Sequence, residues 1–213
     1  MIFDFQEIAN RIGITGIFHI GGFVGEELKS YRDYGLYNTI LFEPQKNLAD
    51  IINDKLEDYE QCVNLALGSK SGVMPMYISS TEGGVENGSG ASSSLLKPFV
   101  HLTELPGILF EEKVEVNLDT LDNWIYDNLA IMDVVTYNFL NIDVQGYELE
   151  VLKGASKQLE HVKGMIVEVN RDEVYQGCAK IWDIDEYLEK KGFERTKLVW
   201  QSKSWGDALY EKC

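Results

Sequence analysis

The 213-residue chain is short of cysteine, of positive charge and of long apolar runs. Its three cysteines, Cys62, Cys178 and Cys213, are odd in number and far apart, so neither a zinc spacing nor a disulfide framework is present. That points to a reducing compartment. Lysine and arginine total 19 against 35 aspartates and glutamates, a net charge of −16. Such a chain repels nucleic-acid phosphates and anionic membrane surfaces, and neither is expected as a partner. Neutral or cationic small molecules and uncharged polymers such as glycans remain. No basic segment followed by a long apolar run opens the chain, so neither a signal peptide nor a membrane span is expected, and a cytoplasmic location follows. Two phosphate-binding signatures are also missing: a loop ending in Gly-Lys-Ser/Thr, and the Gly-x-Gly-x-x-Gly fingerprint. Their absence disfavours a pyrophosphate ligand, and with it a nicotinamide-dependent oxidoreductase.

What is present is an alternation of periods. Phe5, Ile8, Ala9 and Ile12 lie at helical spacing over 4–12, and Gly13 stops the turn. A strand over 15–20 runs into a glycine-rich turn and a helix to about 34; a strand over 38–44, a helix over 46–56 and a strand over 61–67 follow. This β-α-β-α-β order predicts an α/β fold with a parallel, doubly wound sheet. The stretch 69–118 breaks the pattern and reads as an insertion within a single domain spanning 1–213. In it, Pro75 confines the strand over 73–78 to an edge. The segment 79–94, rich in glycine and serine, cannot bury a core and reads as a mobile lid. A half-exposed strand over 112–118 leads to a helix over 119–129 with Leu121, Trp124, Ile125 and Leu129 on one face. Strands over 137–142 and 164–170, helices over 148–154 and 181–191, and an antiparallel hairpin over 193–200 and 207–210 complete the chain.

The strand over 137–142 is apolar enough to be buried on both faces, and it ends on Asp143. Gly146 then releases the chain into a helix. A carboxylate at the carboxyl end of a central strand is where open α/β sheets bind ligands. The plainer alternative is that Asp143 caps the next helix. The turn Gly21-Gly22-Phe23-Val24-Gly25 follows the first strand, and its glycines allow close backbone approach to a ligand. Glu43 ends the second strand, about 20 residues past that turn, where an acid can hold both hydroxyls of a ribose. Pro44 fixes the following turn, and Asn64 and Ala66 at the end of the third strand would flank a base. His19 is either a core histidine or part of the site. His101 reads as an exposed loop residue. Trp200 and Trp205 read as cover for the core or the sheet edge, or as a stacking surface for a sugar.

These landmarks resemble the FkbM family of S-adenosylmethionine-dependent methyltransferases over nearly the whole chain. The resemblance rests on Phe18-His19-Ile20-Gly21-Gly22-Phe23-Val24-Gly25, on Leu41-Phe42-Glu43-Pro44 and on Asn64-Leu65-Ala66-Leu67-Gly68. It continues through Leu118-Asp119-Thr120-Leu121-Asp122, Asn141-Ile142-Asp143-Val144-Gln145-Gly146-Tyr147-Glu148 and Ile166-Val167-Glu168-Val169-Asn170. It implies a Rossmann-like class I methyltransferase with a seven-stranded sheet of order 3-2-1-4-5-7-6, the last strand antiparallel. It implies S-adenosylmethionine as cofactor and O-methylation of a hydroxyl, often of a sugar or a polyketide-type molecule. His19, Gly21, Gly22, Phe23, Gly25, Glu43, Pro44, Asn64, Ala66, Asp143 and Val144 would then hold the cofactor. Asp143 would be the base or the holder of the cofactor's amino group, with Glu168 as second catalytic acid. Ser93, Gln145 and Asn170 would meet the acceptor. The family usually carries acids where this chain has His19 and Gln145. With Gln145 in place of a carboxylate, and no His/Asp/Glu cluster at ligand spacing, no metal is expected. The other reading is a non-catalytic S-adenosylmethionine-binding module of a larger glycan-assembly protein.

Overall fold

The computed structural model describes residues 3–128 and 133–213. The first half alternates as the sequence predicts: α1 (Phe5–Ile12), β1 (Ile17–Ile20), α2 (Leu28–Asp33), β2 (Thr39–Phe42), α3 (Lys46–Asn53) and β3 (Glu60–Val63). Asp4 caps α1 by accepting from the Glu7 N–H, and Gly13 closes the helix in the left-handed conformation. Then come β4 (Ala66–Leu67), β5 (Gly72–Ser80), α4 (His101–Glu104), β6 (Leu109–Asp119) and α5 (Leu121–Asn128). The chain ends with β7 (Phe139–Ile142), α6 (Glu148–Gly154), β8 (Gly164–Asn170), α7 (Ile181–Glu189), β9 (Phe193–Trp200) and β10 (Trp205–Lys212). Leu129, placed on the inner face of α5 by its spacing, lies outside the described residues.

Seven strands form one sheet in the order β3-β2-β1-β7-β8-β10-β9. Counted along the chain within this sheet, that is 3-2-1-4-5-7-6. The pairs from β3 through β8 are parallel, and β10 runs antiparallel to both β8 and β9. All seven residues of β8 are buried, because helices cover both faces of a parallel sheet. Alternation along the strands divides the core. Phe18, Ile20, Leu140, Ile142 and Val167 pack on one face with α5, α6 and α7, while Ile17, Phe139 and Ile166 pack on the other with α1. Each fully buried aliphatic or aromatic side chain of this kind contributes about 1.5–3 kcal/mol.

The structure departs from the sequence reading at three places. The expected strand over 61–67 is two strands. At the break, Asn64 Nδ2 donates to the carbonyls of Glu43 and Pro44, both at 2.9 Å, and the chain leaves the main sheet. Its continuation, β4, starts a second sheet of order β4-β6-β5, in which β5, carrying Pro75, is an edge. The segment 79–94 buries no apolar core, as its composition dictates, but its serines lace it together. Ser79 N donates to Ser93 Oγ at 2.9 Å, Thr81 N to Ser89 Oγ at 2.7 Å, and Gly90 N to the Ser79 carbonyl at 2.9 Å. His101, expected on an exposed loop, is buried against Phe110, Tyr175 and Trp205. Among the described residues, no helix is long and apolar enough to cross a membrane.

Candidate active site

A cleft of about 500 Å³ opens at the carboxyl ends of β1, β2 and β7, between the main sheet and the segment 88–95. Its floor is the crossing of two turns. Gly21 leaves β1 with φ +92°, and a Cβ built there would lie 1.7 Å from the Asp143 carbonyl oxygen. Only glycine lets the turn after β1 pass this close under the turn after β7.

On the β2 side the cleft is organised by Glu43, which is buried. Its Oε2 accepts from the Phe23 N–H at 2.9 Å and its Oε1 from the Gln45 N–H at 2.8 Å. Oε1 also takes a longer bond from Gln45 Nε2 at 3.4 Å, so of a carboxylate's four or so acceptor positions the one left on Oε2 is open to a ligand hydroxyl. Burial pushes the Glu43 carboxyl up to about 7, against the pull of the two backbone N–H donors. Gln45 carries the contact onward, its Nε2 donating to the Gly90 carbonyl at 3.1 Å. His19 lines the same cleft, and burial lowers its pKa and keeps it neutral. Its Nδ1 shares a hydrogen bond with Tyr31 Oη at 3.3 Å, and that hydroxyl accepts from Asn141 Nδ2 at 2.8 Å.

On the β7 side three carboxylates converge. One oxygen from each of Asp143, Glu148 and Glu168 lies within 4.8 Å of the other two, spacing that could hold a cation. Glu148 is fully buried at the start of α6, and its Oε1 accepts from the N–H groups of Gly146 at 2.8 Å and Val144 at 3.2 Å. Its Oε2 has no partner among the described residues. Gln145 sits between the other two. Its Nε2 donates to Asp143 Oδ1 at 2.7 Å and lies 3.1 Å from both Glu168 oxygens, while its Oε1 accepts from Tyr175 Oη at 2.7 Å. Burial pushes Glu148 up to about 7, and Asp143, open to the cleft but walled by protein and facing the charges of Asp207 and Glu27, is raised to about 6. Glu168 is raised well above the usual carboxylate range, by burial first and then by the charges of Asp143, Glu148 and Asp207. Glu26, Glu27, Glu43, Asp143 and Asp207 line the cleft, and no lysine or arginine does among the described residues. The cleft therefore favours cationic over anionic ligands.

Of the residues singled out from the sequence, His19, Gly21, Phe23, Glu43, Pro44, Ala66, Ser93, Asp143, Val144 and Gln145 wall the cleft. Gly22 and Gly25 lie within the turn beneath it, joined by a bond from Gly25 N to the Gly22 carbonyl at 2.7 Å. Asn64, expected beside a base, instead ties the turn after β2 to the end of β3 and is not part of the wall. Glu168 reaches the site through Gln145, and Asn170, two residues further on the same face of β8, is buried with both side-chain amide atoms unpartnered. Sequence reasoning missed Gln45, Glu148, Tyr175 and Asp207. Glu148 had one readable signal: an acid two residues after Gly146 can reach back to cap that turn.

A Rossmann-like sheet with this strand order and a cleft at the carboxyl ends of its first strands defines the S-adenosylmethionine-dependent methyltransferase class of fold. The solved structures agree. Magnesium protoporphyrin IX methyltransferase (ChlM) from Synechocystis, with bound S-adenosylmethionine, matches 98% of this chain and 75% of its own, with a TM-score of 0.52 at 9% identity. TrmK of M. capricolum, with S-adenosylhomocysteine, matches 100% of this chain and 69% of its own, with a TM-score of 0.51 at 6% identity. The family model of the methyltransferase FkbM domain matches residues 19–195, and the chain belongs to that family. The 2-O-methyltransferase NoeI of Sinorhizobium fredii is 24% identical over 139 residues, 64% of this chain. That match spans about half of NoeI's length (55%).

Proposed function

We propose that the protein transfers a methyl group from S-adenosylmethionine to a hydroxyl, most naturally one on a sugar or glycan. The observation that carries this is the pairing of two different acid sites across one cleft. Glu43 stands on the β2 side with an acceptor position open on Oε2 for a ribose hydroxyl. Asp143 and Glu168 stand on the β7 and β8 side, two and three strand spacings away, or about 10 and 14 Å. A nucleoside-linked cofactor and an acceptor can share such a cleft, with Glu43 on the ribose and the acceptor hydroxyl near Asp143. When bound, the cofactor supplies an electrophilic methyl group on a sulfonium centre. The chain's own contribution is to hold the hydroxyl in line, take its proton and keep water out. Asp143, raised to about 6, accepts that proton, with Glu168 beside it joined through the Gln145 amide. A wall with no lysine or arginine among the described residues disfavours phosphorylated or carboxylated acceptors and suits an uncharged sugar. It also suits a cationic cofactor over its neutral product.

The reading treats residues 1–213 as one methyltransferase domain, with the β4-β6-β5 sheet and its loops as the insertion. NoeI, a 2-O-methyltransferase, supports oxygen as the acceptor atom. The test is a screen of neutral sugars and glycosides with methyl-labelled cofactor. Acceptor-dependent S-adenosylhomocysteine and a labelled O-methyl product support the proposal. Tight cofactor binding with no product from any hydroxyl acceptor would point instead to a non-catalytic binding module.

A further inference from the structure

We infer that the side-chain amide of Gln145 fills the place between Asp143 and Glu168 that a cation would otherwise take, so that the centre works without a divalent metal. This deepens the reading of Asp143 and Glu168 as the proton-accepting pair, but its test needs neither acceptor nor turnover.

Three acids from separate elements meet here: Asp143 after β7, Glu148 on α6 and Glu168 on β8. Carboxylates this close repel one another unless protons, a cation or fixed donors lie between them. A fixed donor is present. The Gln145 amide has two hydrogens on Nε2, and it faces Asp143 Oδ1 at 2.7 Å and both Glu168 oxygens at 3.1 Å. Its orientation is set by its surroundings. Turned over, its carbonyl oxygen would face three carboxylate oxygens, while Tyr175 Oη, which also lies 2.9 Å from the Ser92 carbonyl, could serve either orientation. The backbone serves the same end. Gln145 has φ +57°, a left-handed conformation unusual for a residue with a side chain, and its carbonyl accepts from Ser94 Oγ at 2.6 Å. Gly146 follows with φ +98°, where a Cβ would lie 3.0 Å from Cys178 and 3.1 Å from Tyr175. The turn is thus wound so that an uncharged donor sits between the two acids. The third acid is left over: Glu148 Oε2 is buried behind the cleft wall, without a partner among the described residues.

If the amide stands in for a cation, replacing it with a fourth carboxylate should create a cation site. The purified full chain and Gln145→Glu are titrated with Mn²⁺, followed by electron paramagnetic resonance and calorimetry. The wild-type chain should show no saturable uptake, while Gln145→Glu should take up one equivalent at least tenfold more tightly. One equivalent of Mn²⁺ bound by the wild-type chain and lost in Asp143→Asn would overturn the inference, as would a folded Gln145→Glu that binds no better than wild type. Should Gln145→Glu fail to fold, Gln145→Ala decides by its melting temperature from pH 5 to pH 8. The acids facing the amide are Asp143, Glu148 and Glu168, with Asp207 from β10 and Glu27 from the turn before α2 adding their charge. Without the donor, their mutual repulsion grows as they ionise, so the deficit of Gln145→Ala should widen from pH 5 to pH 8. An equal deficit at every pH would reduce Gln145 to packing and refute the assignment.

Discussion

Replacing Glu43 by alanine perturbs the cleft where its chemistry is most constrained. The side chain is buried and takes two backbone hydrogen bonds, from half-buried Phe23 and buried Gln45, so its loss strands both donors. Each hydrogen bond to a charged group contributes about 1.5–3 kcal/mol, and the variant should melt lower accordingly. The ligand effect is separate. If Glu43 holds the ribose, its removal weakens S-adenosylmethionine by about 1.5–3 kcal/mol for even one lost bond, or roughly ten- to a hundredfold in Kd. Glu43→Gln keeps the volume and one acceptor oxygen and isolates the charge. Because burial lifts the Glu43 carboxyl to about 7, ligand hydroxyls that favour the ionised form should bind more tightly as pH rises from 6 to 8. Glu43→Gln should abolish that pH dependence. Calorimetry of the three proteins at pH 6, 7 and 8 is the assay. A folded Glu43→Ala with wild-type affinity refutes the ribose assignment, whatever the melting curve shows.

Asp143→Asn keeps shape and capping capacity while removing charge; if Asp143 is the base, kcat should fall by about 10²–10⁴ with cofactor affinity little changed. A normally active Asp143→Asn removes it from the chemistry, and a drop in cofactor affinity alone assigns it to the cofactor's amino group. In the ligand-free chain, Asp143 at about 6 and Glu148 at about 7 stand above the usual carboxylate range. The stability they favour is complete below the unfolded pKa, about 4, and is lost as pH rises through about 6 to 7. Wild-type protein should therefore melt lower at pH 8 than at pH 5 relative to a chain carrying Asp143→Asn and Glu148→Gln, and a parallel pair of curves counts against it. Shortening the loop between Gly83 and Gly90 should weaken cofactor binding as well as acceptor turnover, because Gly88 and Gly90 line the cleft and Gly90 meets Gln45. Unchanged kinetics and affinity would make the loop a mere connection.

Local patterns made the main sheet legible. The strand ends at Gly21, Glu43 and Asp143 were visible because buried parallel strands are uniform apolar runs that stop on a turn or an acid. The strand order came from the family resemblance, since nothing local tells β8 that its other neighbour is the last strand of the chain. Asn64 misled because a polar residue in a strand-like run looks tolerable until its amide is seen tying two turns together. The loop over 79–94 misled in the same way: serines read as flexible, yet here they supply the cross-links. The acid cluster was invisible because Asp143 and Glu168 belong to adjacent strands 25 positions apart, and Glu148 at a helix start looks solvated. His101 became buried through tertiary packing against Tyr175 and Trp205, a contact no local pattern carries.

The most direct measurement of the central claim is a crystal structure of the chain with S-adenosylhomocysteine and a neutral glycoside. The ribose hydroxyls should lie on Glu43, the sulfur between the turn at Gly21 and the turn at Asp143, and a sugar hydroxyl within hydrogen-bonding reach of Asp143 or Glu168. A nucleoside bound away from Glu43, or a sulfur facing away from the Asp143–Glu168 pair, would contradict that claim.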